Sequence, residues 1–106
     1  MFVVLCNCPP AEAKALAVTL VKEGLAACVN VLPGVRSFYV WNGELQEDIE
    51  DTLLIKSSSG RVEALGDRIR ELHSYDTVEV LALPVDEGCS DPRYVAWVRS
   101  VCDGAG

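Results

Sequence analysis

The chain has 106 residues, half of them hydrophobic and 24% charged, which is the size and composition of one folded domain with a single core. Sixteen acidic against nine basic residues give a net charge of -7, a field that repels phosphate backbones and anionic headgroups, so neither nucleic acid nor a membrane surface is an expected partner. No apolar run approaches the roughly 18 residues of a membrane span, and Met1 leads straight into Phe2-Val3-Val4-Leu5 without a basic flank, which points to a cytoplasmic protein.

Met1 to Cys6 is a short Val-rich apolar run, expected as a central strand buried on both sides. Beyond Asn7-Cys8-Pro9-Pro10, the residues Ala13, Leu16, Ala17, Leu20 and Val21 recur with helical spacing, and Gly24 stands where a helix ends. Ala26 to Leu32 reads as a second strand that continues through Val35 to Trp41, with Pro33-Gly34 as a bend or bulge. Asn42-Gly43 suits a type I′ turn, since both central residues need positive φ, and the returning arm runs from Glu44 through an acidic, solvated stretch into Leu53-Leu54-Ile55-Lys56.

Ser57-Ser58-Ser59-Gly60 offers capping hydroxyls for a second helix, marked by Val62, Leu65, Ile69 and Leu72 and ending near His73. Val78 to Val85 is expected as a fourth strand. Ser90-Asp91-Pro92 then opens a terminal helix with Tyr94, Trp97, Val98 and Val101 as its apolar stripe, and the ends, including Asp103 to Gly106, are expected to fray.

Strand, helix, strand, strand, helix, strand is the order of the α+β, ferredoxin-like split βαβ, in which helices cover one face of an antiparallel sheet. Either the terminal helix folds back over the other face or a further copy of the chain covers it. The length of the β2-β3 hairpin and its run Phe38-Tyr39-Val40-Trp41 favour a homo-oligomer.

In this topology the first strand ends at the sheet edge where the second helix hands over to the fourth strand, so Cys6 and His73 meet there. Thiolate and imidazole are ligands that copper and zinc favour, although a core cysteine and a helix-capping histidine explain the same residues. The five cysteines contain no C-x-x-C spacing, and the acidic residues 44–51 lack the spacing of a calcium loop. With no phosphate loop, no nucleophile elbow and one lone histidine, no enzymatic activity and no obligatory cofactor are expected.

Leu25-Ala26-Ala27-Cys28-Val29-Asn30, Ser37-Phe38-Tyr39-Val40-Trp41-Asn42-Gly43, Glu50 with Leu53-Leu54-Ile55-Lys56-Ser57, and His73-Ser74-Tyr75-Asp76-Thr77-Val78-Glu79 follow one another in the order seen in the CutA divalent-cation tolerance family, and Tyr94-Val95-Ala96-Trp97 fits the same pattern. The chain as a whole resembles that family. The resemblance implies a PII-like subunit in a homotrimer, a role in tolerance of copper or other divalent metal ions or in signalling, and no catalysis. It implies Cys6 and His73 as metal ligands, with Leu72 where some members carry a second histidine, and Ser74 and Val78 where prolines are usual. Tyr39, Trp41, Glu50, Lys56, Tyr75 and Glu79 fall on recurrent positions of the family. They form either a cleft between subunits for an anionic or small ligand or a protein partner, or the aromatic packing and ion pairing of a trimer interface.

Overall fold

The computed structural model describes residues 1–104. Its elements are β1 (Phe2–Cys8), α1 (Pro10–Lys22), β2 (Cys28–Trp41), β3 (Glu44–Ser57), α2 (Val62–Leu72), β4 (Leu81–Pro84), a single 3-10 turn (Glu87–Cys89) and α3 (Pro92–Cys102). The strands form one antiparallel sheet in the order β2-β3-β1-β4, so β1 is central as its unbroken apolar run required. This is the split βαβ arrangement with an elongated hairpin, and the hairpin stretches the molecule to 49 Å along its longest axis.

Alternation along β1 decides which face is the core. Val4, Cys6 and Cys8 are fully buried and pack with Leu53 and Ile55 of β3 against Leu16 and Leu20 of α1 and Leu65 and Ile69 of α2. The other face carries Val3 and Leu5 opposite Leu83 and Leu81 of β4, and those two leucines stay half exposed, at 48% and 53%. Among the described residues no helix covers them, since α3 packs instead on Met1 and Ala27 through Val95, Val98 and Cys102.

The Pro33-Gly34 bend is a bulge. The β2/β3 register shifts between Leu32 and Val35, Gly34 adopts φ +68°, and its N–H donates to Asp51 Oδ1 at 3.2 Å. At the far end Trp41 faces Glu44 across a two-residue turn in which Asn42 and Gly43 both have positive φ, as type I′ geometry demands.

Four expectations are corrected. The fourth strand covers only Leu81–Pro84, because Val78 and Val80 leave the ladder to pack on the core; a Cβ at Gly66 of α2 would stand only 3.6 Å from Val80 Cγ1. The serines before α2 do not cap it with their hydroxyls: Ser57 Oγ donates to the Leu25 carbonyl at 2.7 Å, Ser58 Oγ donates to Asp103, and the Arg61 and Val62 N–H groups reach the Ser58 backbone carbonyl. On α3 the buried face is Val95, Val98 and Cys102, so Tyr94, Trp97 and Val101 of the expected stripe remain exposed beside it. Met1 and Asp103, both placed in the expected frayed ends, are held: Met1 is buried with its carbonyl accepting from Val85 N–H, and Asp103 bonds back to Arg99 and Ser58; of the expected tail, residues 105–106 lie outside the described residues.

Candidate functional site: the end of β1 and the acidic cleft beside it

Cys6 projects from β1 into the core and is fully buried, with its S–H directed at the Asn7 carbonyl at 3.7 Å. Burial first, then the neighbouring Cys8, Glu79 and Glu50, push its thiol up to about 12. Cys8, two residues on and on the same face, is pushed up to about 11 by burial and by Asp51, Glu12 and Glu50. Both are protonated thiols in their resting environment, small apolar side chains in a carboxylate-rich corner.

His73 sits at the C-terminus of α2, and its backbone N–H closes that helix on the Ile69 carbonyl. Its ring is buried, Nε2–H donates to the Asn7 carbonyl at 2.8 Å, and Nδ1 accepts the Tyr75 N–H at 3.1 Å. One backbone oxygen therefore receives both residues named from the sequence, Cys6 and His73, and both ring nitrogens of the histidine are engaged. Among the described residues no three His, Cys, Asp or Glu side chains are grouped closely enough to hold a metal ion.

Alongside lies an open cleft of about 530 Å³, with Tyr39 and Trp41 from β2, Asp48 and Glu50 from β3, and Ser74, Tyr75, Asp76, Thr77 and Glu79 from the segment between α2 and β4; Asn7 lines its floor. Tyr39 and Tyr75 each donate a hydroxyl hydrogen bond to a carboxylate, to Asp48 and to Glu50 respectively, the latter at 3.1 Å. Burial, and then the bond to Glu50, push the Tyr75 hydroxyl up to about 12. Burial and the adjacent Glu50 also raise Glu79, as expected for acidic groups crowded together.

The cleft thus gathers Tyr39, Trp41, Glu50, Tyr75 and Glu79, but not Lys56. That lysine shares the helix-free face of β3 with Glu50 but lies further along the strand, opposite Val3 and Cys28, where its ammonium donates to Asn30. With no basic residue in the lining, the local field opposes an anionic ligand. Glu50 and Asp51 are not part of a solvated arm: both are buried, Glu50 against Tyr75 and Asp51 on the Gly34 bulge.

Sequence reasoning missed Asn7, Asp48 and Asp76. Asp48 was legible by period-two counting from Glu50, which puts it on the face of Tyr39 once the Asn42-Gly43 turn fixes the register. Asp76 lies in a segment without periodicity, inside the His73 to Glu79 block that carries the resemblance but not among the positions singled out from it.

Comparison with known proteins agrees with this architecture. The CutA1 divalent ion tolerance protein family matches residues 2–101. The divalent-cation tolerance protein CutA of Thermus thermophilus is 44% identical over 98 residues, spanning 92% of this chain and 93% of its own length. The CutA homologues of Xenopus laevis and Homo sapiens are 44% and 43% identical, but this chain spans only 62% and 54% of their lengths. Among solved structures, the PII-like protein CutA from Nostoc superposes with a TM-score of 0.92 at 38% identity, covering 96% of this chain and 97% of that one. With the family match running almost end to end and the split βαβ fold shared at this level, the chain belongs to the CutA1 divalent ion tolerance family.

Proposed function

We propose that this chain acts in the cytoplasm as a homotrimeric, non-catalytic divalent-cation tolerance protein that takes up copper or another divalent metal at the end of β1, with Cys6 and His73 as ligands. The observation that carries the reading is their convergence on the Asn7 carbonyl, from a strand and a helix end 67 positions apart in sequence. The donors are of the type a thiophilic metal prefers, and the surrounding Glu50 and Glu79 favour a cation. Uptake requires loss of the Cys6 proton and release of His73 Nδ1 from Tyr75, so only a metal that binds thiolate strongly competes. Trimer formation is supported by the leucines left open on β4 and by Trp41, Leu45 and Ile49, 62–74% exposed on the hairpin.

The test is an anaerobic copper competition titration against a chelator of known affinity, on the parent and on Cys6→Ala/His73→Ala. Stoichiometric binding lost in the variant supports the ligand assignment, and equal binding by both overturns it. Light scattering in dilute solution reads the assembly, and a monomeric mass overturns the trimer.

A second reading, a PII-like module that binds a small ligand or a protein partner, is favoured by the cleft itself. Its volume and its mixture of aromatic and hydrogen-bonding groups are those of a small-molecule site.

A further inference from the structure

The partners of His73 fix its tautomer. Nε2 faces the Asn7 carbonyl, which can only accept, so Nε2 carries the proton; Nδ1 faces the Tyr75 N–H, which can only donate, so Nδ1 holds the lone pair. A metal bound at Nδ1 takes the lone pair that the Tyr75 N–H uses. A metal bound at Nε2 leaves the ring proton on Nδ1, where it meets that N–H donor against donor. By either nitrogen the partly buried Tyr75 amide loses its acceptor, and only contact with water then satisfies it.

The segment around Tyr75 is placed to make that move. Residues 74–77 belong to no helix or strand. Side chains tie them down: Ser74 Oγ donates to Glu12 at 2.7 Å, the Tyr75 hydroxyl donates to Glu50 at 3.1 Å, and the Tyr75 and His73 rings lie 4.6 Å apart between centroids. Both flanks are fixed, by His73 closing α2 and by Val78 and Val80 packed on the core. A short unpaired stretch between two anchors can open locally while the domain stays folded. Ser74, Tyr75, Asp76 and Thr77 also form one side of the cleft, so its shape depends on where this stretch lies.

We propose that residues 74–77 form a strap that metal uptake at His73 releases, so that occupancy of the buried end of β1 is reported on the surface as a loosened cleft wall. The proposal rests on the metal reading and adds a conformational consequence to it; it requires no ligand in the cleft. Coupling of this kind is reciprocal: if binding loosens the strap, then loosening the strap by other means tightens binding. The Tyr75–Glu50 bond is the tie to cut, because its loss leaves Cys6, His73 and the Tyr75 backbone intact.

The test is amide exchange read by mass spectrometry on the assembled protein, anaerobically, without and with copper kept reduced at the saturation found in the competition titration. Exchange across residues 74–77 is expected to rise about tenfold with copper, from the loss of one hydrogen bond, and to stay unchanged in α3. Tyr75→Phe is expected to bind copper about threefold to tenfold more tightly than the parent, since it removes a tie that opposes release. A purely structural tyrosine would leave that affinity equal or lower. Ser74→Ala, which removes the bond to Glu12, is expected to shift it in the same direction. Copper held by Cys6 and His73 with exchange at 74–77 unchanged or slowed, or with Tyr75→Phe binding no more tightly, overturns the strap and leaves the metal reading standing. No copper binding, or equal binding by Cys6→Ala/His73→Ala, overturns the metal reading and the strap with it.

Discussion

The Tyr75 hydroxyl donates to the Glu50 carboxylate at 3.1 Å and so ties the segment between α2 and β4 to the base of the hairpin. That segment carries no ladder pairing until Leu81, so side chains hold it: His73 on the Asn7 carbonyl, Ser74 on Glu12, and Tyr75 on Glu50. Removing the last of these leaves a buried carboxylate with one partner fewer. Tyr75→Phe is expected to lose about 1 kcal/mol, below the usual range of charge-assisted bonds because Tyr75 itself is partly exposed. Amide exchange should accelerate across residues 74–80 and stay unchanged in β1. Unchanged exchange in the segment would show that the Tyr75–Glu50 bond does not restrain it.

The face that α2 buries is narrow: Leu65, Gly66 and Ile69. Ile69 is fully buried against a core that includes α1, β1 and β3, so deleting its methyls leaves a void the sheet cannot close. Ile69→Val is expected to cost about 1 kcal/mol and Ile69→Ala about 2–5 kcal/mol. Urea midpoints at equal protein concentration check this, with an unchanged denaturant slope as the sign that stability alone has moved.

The elements were legible wherever local chemistry and burial agreed. Asn42-Gly43 specified its turn because positive φ is required there, and Pro33-Gly34 specified a bulge for the same reason. Val78 misled because its β propensity competes with the chance to pack on the core, and the tertiary contact wins. Tyr94 and Trp97 misled because hydrophobicity names a candidate buried face, whereas α3 docks closely through the smaller Val95, Val98 and Cys102. The meeting of Cys6 and His73 followed from topology alone. Their engagement by Asn7 and Tyr75 is set by backbone positions within a few ångströms, which no residue pattern reports.

Arg68 of α2 grips Glu23 at the end of α1 with two parallel bonds, Nε and Nη2 to the two carboxylate oxygens at 2.9 Å each, and reaches Glu71 with Nη1. The paired guanidinium holds the Glu23 carboxyl below its ordinary value. A carboxyl depressed in the folded state stabilises the fold fully above its unfolded pKa and loses that contribution as pH falls through the folded one. Glu23→Gln should therefore lower the urea midpoint slightly at pH 7, and parent and variant should converge as the pH falls through the lowered folded-state pKa of Glu23. A gap that persists unchanged at the lower pH would assign the effect to packing rather than to charge.

Gly43 at the hairpin tip has φ +77°, and an added Cβ there would meet no atom within 4 Å. Space is free, so the whole cost of Gly43→Ala lies in forcing an L side chain into left-handed backbone, about 1–2 kcal/mol. The tip stands at the far end of an extended two-stranded arm, outside the core, so this cost is met by local opening rather than by global unfolding. Amide exchange is expected to rise near Val40 to Leu45 while the urea midpoint of the core barely moves. Gly34→Ala makes the contrast: its φ of +68° is as restrictive and its surroundings equally open, but its N–H holds the buried Asp51. Disturbing that bond reaches the β3 residues that pair with β1, so Gly34→Ala should shift the global midpoint and Gly43→Ala should not. Equal midpoint shifts from the two substitutions would show that the arm and the core unfold as one unit.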